Sequence, residues 1–189
     1  TTVSVITAVY NGERFLAQAI ESVLGQSFQD FELIVVDDAS NDTTPHILER
    51  YSADARVVVL RNTSNQERSH SRNRAIAQAR GRYLAVLDAD DICLPGRLEK
   101  QVQFLDENPQ IDVVGGALES IDEADRLIAR QHIPLLSHAE IAWFNLFGSP
   151  IVHSSAMLRA EKVKAVGGYD PRWPPCEDAD LWIRLMQAG

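Results

Sequence analysis

The chain has 189 residues, 45% of them hydrophobic, which is enough to bury a sizeable core and excludes disordered and collagen-like classes. Its formal net charge of −9 disfavours nucleic-acid binding, because neutralising phosphates requires a basic face. The two cysteines, Cys93 and Cys176, lack the spacing of a zinc site or a disulfide framework, so we expect a reducing cytoplasm. No apolar stretch is long enough to cross a bilayer, so we expect any membrane anchor to lie outside this sequence.

The first half of the chain alternates short apolar runs with amphipathic stretches. Strands are predicted over 3–9, 31–38, 55–60 and 82–88, and helices over 12–27, 43–53 and 67–80. This β-α-β-α-β-α-β order predicts right-handed crossovers and a mainly parallel sheet. In such sheets, ligands bind at the carboxyl ends of the strands.

The second half is less regular. The pattern predicts helices over 94–108, 137–147 and 176–188, a strand over 111–121 and a shorter strand over 154–160. The segment 167–178 is dense in glycine, proline and aromatic residues, which is typical of a mobile binding loop. With no repeat, linker or low-complexity tract, the simplest prediction is one domain over 1–189.

Acidic clusters follow two of the predicted strands. Asp88, Asp90 and Asp91 lie within four residues, and each like-charged pair about 5 Å apart costs about 3 kcal/mol at an effective dielectric near 20. The cluster therefore needs a cation or must hold protons. Asp90 is a suitable ligand for a hard divalent cation, Mg²⁺ or Mn²⁺, which commonly bridges a carboxylate and a diphosphate. The alternative is that these residues only cap helices or shape turns, as Asp37 and Asp38 could also do after the second strand.

Four segments, in order, resemble one large family. They read "VSVITAVYNGERFLAQAIESVLGQSFQDFELIVVDDASNDTT", "SRNRAIAQARGRYLAVLDADD", "GGYD" and "CEDADLWIRL". They are similar to inverting nucleotide-sugar glycosyltransferases of the family 2 type with the GT-A fold. The resemblance implies an α/β fold, a Rossmann-like α/β/α sandwich with a mainly parallel central sheet. It also implies a nucleotide-binding half over 1–110 and an acceptor-binding half over 111–189 that is truncated at its C-terminal end.

The resemblance also assigns roles to individual residues. The nucleotide-binding set is Ala8, Val9, Tyr10, Glu13, Asp38, Arg72 and Asp88. Asp88 and Asp90 resemble the D-x-D pair, with Asp90 as the main metal ligand and Asp88 towards the ribose and metal. Asp178 resembles the catalytic base. His153, Trp173 and Glu177 are candidate acceptor contacts.

The implied reaction is metal-dependent. A sugar would move from a nucleoside diphosphate sugar, a UDP-sugar in our interpretation, to a hydroxyl of a carbohydrate or glycolipid acceptor in cell-surface polysaccharide or glycolipid synthesis. Asp178 would take the acceptor proton, and Mn²⁺ or Mg²⁺ on Asp90 would stabilise the departing nucleoside diphosphate. We expect a cytoplasmic enzyme, with peripheral contact at the inner face of the membrane only through segments outside this sequence.

Several of these residues also have an ordinary structural interpretation. Tyr10 could cover the core edge, and Arg72 could be a solvated helix charge that pairs with nearby carboxylates. Asp178 could be a helix N-terminal carboxylate favoured by the macrodipole. His153 could be a structural histidine, and Trp173 could only pack its loop. Other function classes also stay open at this point: a non-catalytic nucleotide-sugar-binding relative, a sugar-1-phosphate nucleotidyltransferase and a phospho-acceptor receiver domain.

The sequence departs from the family pattern in two places. Members often carry a glycine before the "SRN" segment, where this chain has Glu67 and Arg68. We therefore expect a different backbone near the nucleotide, which leaves the base and sugar preference open. The sequence also stops at Gly189, directly after the helix that carries Asp178.

Overall fold

The computed structural model describes residues 1–131 and 137–188. The strands are β1 (Val3–Val9), β2 (Phe31–Asp37), β3 (Val57–Arg61), β4 (Tyr83–Val86), β5 (Val113–Val114), β6 (Leu118–Ile121), β7 (Leu127–Gln131) and β8 (Met157–Arg159). The helices are α1 (Leu16–Leu24), α2 (Thr44–Tyr51), α3 (Glu67–Gln78), α4 (Arg97–Glu107), α5 (His138–Phe144), α6 (Ala160–Ala165) and α7 (Glu177–Ala188), with a 3-10 turn at His153–Ser155. Residues 132–136 and Gly189 of the predicted acceptor-binding half lie outside the described residues.

The central sheet has six strands in the order β3-β2-β1-β4-β8-β5. Its first four strands are parallel, with β1 between β2 and β4. The last two pairings, β4 with β8 and β8 with β5, are antiparallel. The prediction of a mainly parallel sheet is therefore confirmed.

Helices cover both faces of the sheet. The side chains of each strand alternate between the two faces, so each strand contributes to both cores. In β2, Leu33 and Val35 join the core under α1 and α4, whereas Ile34 and Val36 join the core under α3, α6 and α7. All seven residues of β2 are buried, which explains its nearly unbroken apolar sequence. The architecture is the predicted α/β/α sandwich.

The strand register brings the two acidic segments to one edge. Val9 pairs with Asp37, so β1 and β2 end side by side, and the Asp38 amide donates to the Val9 carbonyl at 2.8 Å. β4 also pairs with β1, but the pairing ends at Val86, and the amide of Leu87 donates to the carbonyl of Ile6. The acidic run that begins at Asp88 therefore leaves the sheet at the carboxyl edge.

The antiparallel β8 adds a second contribution to this edge. Because β8 runs against β4, the residues that precede it lie beside the residues that follow β4. The amide of Val86 donates to the carbonyl of Ala156 at 2.9 Å, and the amide of Asp88 donates to Ser154 Oγ at 3.0 Å. The turn that contains His153 therefore sits next to the acidic run.

The single strand predicted over 111–121 is wrong. The segment forms two strands in different sheets: β5 is an edge strand of the central sheet, and β6 pairs with β7 in a separate two-stranded sheet. Gly115 and Gly116 separate them, and glycines weaken a strand interior. A Cβ at Gly115 would lie 2.9 Å from a methyl group of Ile151, so the close approach needs glycine there.

Helix α1 also begins later than the predicted start at Gly12. Gly12 and Glu13 lie in a turn whose amides donate to Thr44 Oγ1 and Asp42 Oδ2 near the start of α2. The pattern predicted neither β7 nor the short helix α6. Within the described residues, no helix is both long and apolar enough to span a membrane.

A buried carboxylate holds the turn between α3 and β4. Glu32 Oε1 accepts hydrogen bonds from Ser4 Oγ at 2.7 Å and from the Arg80 amide at 2.8 Å, and Arg80 Nη2 reaches Oε2 at 2.7 Å. Burial by itself raises the pKa of Glu32, but the hydrogen bonds from Ser4 and Arg80 outweigh it and lower that pKa. The next residue, Gly81, donates its amide to Ser4 Oγ at 2.8 Å.

We predict that Gly81→Ala destabilises the protein. A Cβ at this position would lie 2.5 Å from the Ser4 amide nitrogen and 2.7 Å from the Val3 carbonyl carbon, and these backbone atoms belong to a central strand. Overpacking of this kind costs about 1–3 kcal/mol. Each kcal/mol lowers the melting temperature by about 2–4 °C in a chain of this size.

Gly148→Ala is the matched control, because a Cβ at Gly148 meets nothing within 4 Å. We expect its free energy of unfolding to stay within about 0.5 kcal/mol of the parent. Thermal and urea unfolding of both variants provide the measurement. Equal melting temperatures for the two would contradict the proposed clash.

Candidate active site

The loop after β1 and the start of α2 form one side of the carboxyl edge. Tyr10 is 49% exposed here, and Ala8 and Val9 end the strand beside it. Glu13 Oε2 accepts hydrogen bonds from the Thr43 amide at 3.1 Å and the Thr43 hydroxyl at 2.7 Å. In this structure the predicted nucleotide contact Glu13 therefore ties the loop to α2.

Asp38 is buried at the end of β2 and is held by the neighbouring elements. Its Oδ1 accepts hydrogen bonds from Asn62 Nδ2 at 2.6 Å and from the Gln66 amide at 2.9 Å. Within residues 1–131 and 137–188, nothing donates to the other oxygen, Oδ2. Asp38 is thus fixed in place with one oxygen still able to accept a hydrogen bond.

The start of α3 keeps an unusual backbone next to Asp38. Glu67 has a φ of 68°, in the left-handed region that favours glycine. This is the position where the sequence departs from the glycine of the resembled family, so the backbone adopts a glycine-type conformation with a side chain present. A cavity of about 390 Å³ opens here, lined by residues 66–70, Pro171 and Pro174.

Arg72 lies at the centre of the site. Its Nη2 donates to Asp88 Oδ1 at 2.8 Å, and its Nη1 donates to Glu177 Oε1 at 2.9 Å. The alternative interpretation of Arg72 is right about the pairing with nearby carboxylates, but the side chain is only 8% exposed and is therefore not solvated. One guanidinium therefore joins the end of β4 to the start of α7.

The three carboxylates after β4 have different environments. Burial by itself raises the pKa of Asp88, but the imidazole of His153 and the charge of Arg72 outweigh it and hold that pKa well below its usual range. Burial raises the pKa of Asp91, and the negative charges of Asp88 and Asp90 add to this effect. Asp90 is exposed and, among the described residues, makes no hydrogen bond or ion pair. The cluster thus contains one carboxylate paired with Arg72, one whose pKa is raised, and one without a partner among the described residues.

The acidic residues at the start of α7 divide in the same way. Glu177 is buried against Arg72, with a side-chain exposure of 4%. Asp178, the next residue, is half-buried and has no hydrogen-bond or ion-pair partner in the part of the chain that the structure describes. Asp180 pairs with Arg184 one turn further along α7. Asp178 is therefore the available carboxylate of this turn.

The other predicted acceptor contacts lie in different places. His153 Nδ1 lies 3.9 Å from Asp88 Oδ1, and His153 Nε2 lies 2.8 Å from the hydroxyl oxygen of Tyr169. Trp173 is 56% exposed on the loop before α7. The structure thus brings His153 and Glu177 into the cluster around Arg72, whereas Trp173 stays on the surface.

Three residues without a predicted role help to build the site. Asn62 donates a hydrogen bond to Asp38. Ser154 accepts a hydrogen bond from the Asp88 amide. Tyr169 packs its ring 5.6 Å from the Arg72 guanidinium, and the Asn73 side-chain amide bonds both its amide and its carbonyl. The "GGYD" motif marks Tyr169 in the sequence, and Asn62 follows a strand, but no pattern marks Ser154.

A second cavity lies away from this edge. It has a volume of about 410 Å³ and lies between β5, α5 and α7, where Ile151, Trp182 and Leu185 contribute to an apolar lining. None of the acidic residues at the carboxyl edge lines it. Position at the strand ends and carboxylates without a partner among the described residues identify the candidate active site.

Comparisons with solved structures support the same fold. S. aureus TarS in complex with UDP-GlcNAc superposes with a TM-score of 0.81 at 22% identity, over 98% of this chain and 53% of that chain. Mannosyltransferase PcManGT from Pyrobaculum calidifontis, in complex with GDP-Man and Mn²⁺, gives a TM-score of 0.73 at 20% identity, over 97% of this chain and 51% of that chain. The predicted GT-A fold is confirmed.

Sequence relatives carry glycosyltransferase names. EpsE of Bacillus subtilis is 38% identical over 99% of this chain and 67% of its own length. The amylovoran biosynthesis glycosyltransferase AmsE of Erwinia amylovora is 29% identical over 98% of this chain and 70% of its own length. The chain spans about two thirds of the length of these curated relatives.

The family model described as glycosyl transferase family 2 matches residues 4–167. This range includes both acidic segments of the sheet edge, Arg72 and His153. With this match and its similarity to EpsE, the chain belongs to glycosyl transferase family 2.

Proposed function

We propose that this chain transfers a sugar from a nucleoside diphosphate sugar to an acceptor hydroxyl, with inversion at the anomeric carbon. One observation carries the proposal: Arg72 pairs with Asp88 and Glu177, whereas their neighbours Asp90 and Asp178 have no partner among the described residues. Two carboxylates without a partner among the described residues, next to two that share a guanidinium, suit a reaction that needs one cation ligand and one base.

The donor would occupy the carboxyl edge of β1, β2 and β4. We assign it the nucleotide-binding set Ala8, Val9, Tyr10, Glu13, Asp38, Arg72 and Asp88. Asp38 Oδ2 can accept a hydrogen bond from an N–H of the base, since only Oδ1 is used within the protein. The complex of TarS with UDP-GlcNAc supports a UDP-sugar as the donor.

The acidic residues fit a divalent cation that is shared with the donor. No group of three or more His, Cys, Asp or Glu side chains in the described ranges could hold a metal by itself. Mg²⁺ and Mn²⁺ sites of this kind use one or two carboxylates together with substrate phosphates, and Asp90 with Asp88 supplies these oxygens. Such an ion neutralises the charge that develops on the leaving diphosphate. The Mn²⁺ complex of PcManGT supports this choice.

Asp178 would act as the general base. It takes the proton from the acceptor hydroxyl, whose oxygen attacks the anomeric carbon from the face opposite the diphosphate. A single displacement inverts the anomeric centre and needs no covalent nucleophile. Glu177 is a poor alternative base because its carboxylate is buried and paired with Arg72.

The acceptor would approach from the side of α7. Trp173 is the proposed acceptor contact that is exposed in this structure. His153 lies beside Asp88, so an acceptor that contacts His153 would have to extend to the Asp88 side of the site. The acceptor class, a carbohydrate or glycolipid of a cell-surface polysaccharide pathway, is supported by the biosynthetic name of AmsE. The cytoplasmic location and the membrane contact stay predictions.

We predict that Asp178→Asn lowers the rate of sugar transfer by at least about a hundredfold, the low end of the contribution of a positioned general base. Asparagine keeps the size of the side chain but cannot accept the proton. Because the proposed role of Asp178 concerns the acceptor proton and not the nucleotide, UDP affinity should stay within about twofold of the parent, well under the tenfold that 1.4 kcal/mol represents. Transfer assays and calorimetry with UDP and Mn²⁺ measure the two effects.

Asp180→Asn is the control for this substitution. Asp180 is a carboxylate of the same helical turn, but it pairs with Arg184. Its loss should leave the transfer rate nearly unchanged. If Asp178→Asn transfers sugar as fast as the parent, Asp178 is not the base.

We predict that Asp90→Ala abolishes Mn²⁺-dependent UDP binding and leaves the melting temperature of the free protein unchanged. Asp90 is exposed and unpaired, so its removal costs little folding free energy. It would nevertheless remove the main link between the ion and the diphosphate. Calorimetry with and without Mn²⁺ gives the measurement.

The control is the same titration in EDTA, where parent and Asp90→Ala should bind UDP equally. Unchanged Mn²⁺-dependent affinity in the folded variant would show that Asp90 does not hold the metal.

A further inference from the structure

The contact between α3 and α7 has a geometry that a simple surface ion pair lacks. Arg72 uses two different nitrogens for two different carboxylates, Nη2 for Asp88 at 2.8 Å and Nη1 for Glu177 at 2.9 Å. The guanidinium is planar and rigid, so these two bonds set the separation between the carboxylates. A lysine ammonium, a point charge on a flexible stem, does not fix such a separation.

Glu177 depends on this contact. Its side chain is 4% exposed, and its Oε2 is buried without a hydrogen-bond partner in the described part of the chain. The other nearby cation, Arg68, places Nε 3.6 Å from Oε1 and is largely exposed. Because a buried carboxylate is costly unless it is paired, the first turn of α7 is bound to the position of the Arg72 guanidinium.

Aromatic side chains also contact the cluster. The Tyr169 ring lies 5.6 Å from the Arg72 Cζ, and the Tyr169 hydroxyl is within hydrogen-bonding distance of His153. His153 in turn lies beside Asp88 and has its ring centroid 6.3 Å from that of Trp182 on α7. Side chains from α3, the segment after β4, the 3-10 turn, the 168–176 loop and α7 therefore lie around one guanidinium.

We propose that Arg72 and Glu177 form a positioning pair that holds the start of α7, and with it Asp178, at a fixed distance from Asp88. The inference rests on the proposed function, because it takes Asp178 as the base and Asp88 as part of the donor site. Glu177 is then a positioning residue and touches neither substrate. Arg72 gains a role beyond its proposed contact with the nucleotide.

Loss of this positioning contact should affect the rate of transfer more than the affinity for the donor. Asp178 directly follows Glu177, so a shift of the first helical turn moves the base relative to the donor. A misplacement of about 1 Å can cost about a hundredfold in rate, whereas ground-state binding of the nucleotide at the strand ends is unaffected. Loss of the Glu177 carboxylate, with Arg72 kept, should therefore lower kcat and leave donor affinity nearly unchanged.

Glu177→Gln is the main test. The variant keeps the size of the side chain and removes its charge, and it leaves the donor edge intact. We expect kcat to fall by about tenfold or more while the Kd for UDP with Mn²⁺ stays within about twofold. Amide hydrogen exchange of residues 181–184, whose helical bonds close on the first turn of α7, should become faster. This second readout requires no turnover.

One further variant makes the result specific. Asp180→Asn removes another ion pair of the same helix, between Asp180 and Arg184, and should change neither kcat nor exchange.

The pH profile separates positioning from proton transfer. If Glu177 only positions Asp178, the acidic limb of the kcat profile persists in Glu177→Gln and disappears in Asp178→Asn. A Glu177→Gln variant that loses the limb, with a rate loss beyond about a hundredfold, would make Glu177 the base and overturn the inference.

The remaining outcomes are also decisive. Unchanged kcat or unchanged amide hydrogen exchange in Glu177→Gln overturns the inference. An equal loss of kcat and donor affinity, with unchanged amide exchange, overturns it as well. If the parent transfers no sugar from any nucleotide sugar, the proposed function fails. In that case, faster exchange in Glu177→Gln but not in Asp180→Asn would still establish the structural part of the inference.

Discussion

A single buried guanidinium connects the parts of the candidate site. Arg72 donates hydrogen bonds to Asp88 after β4 and to Glu177 at the start of α7, so one positive charge lies between the two acidic segments and offsets part of their repulsion. Buried charges persist only when they are paired and hydrogen-bonded. Because Asp88 and Glu177 are paired in this way, they differ from Asp90 and Asp178, which have no partner among the described residues. Paired and unpaired carboxylates are thus close in the sequence and distinct in environment.

The antiparallel strand β8 makes this arrangement possible. In an all-parallel sheet, each crossover returns the chain to the amino edge, and only strand ends and the loops that follow them reach the carboxyl edge. β8 runs the other way, so the turn before it places Ser154 on the Asp88 amide and His153 beside the Asp88 carboxylate. The parallel strands end at the carboxyl edge, and β8 adds the turn whose His153 ring lies near Trp182 of α7.

The similar solved structures share one fold but are in complex with different nucleotide sugars. TarS with UDP-GlcNAc and PcManGT with GDP-Man share the fold of this chain at 22% and 20% identity. The fold alone therefore does not fix the nucleotide base, since the two neighbours carry different ones. At the start of α3, Glu67 of this chain combines a positive φ with a side chain, next to the Gln66 amide that donates to Asp38.

The sequence by itself determined the alternation of strands and helices in the first half and the acidic residues at strand ends, because period-2 and period-3.6 patterns are local properties of the chain. It also marked Asp178 through its family motif. Only the tertiary structure decided that β5 and β6 belong to different sheets and that Glu13 bonds Thr43. Likewise, only folding pairs Glu177 with Arg72 and leaves Asp178 without a partner among the described residues. These outcomes depend on contacts between segments far apart in sequence, which no local pattern records.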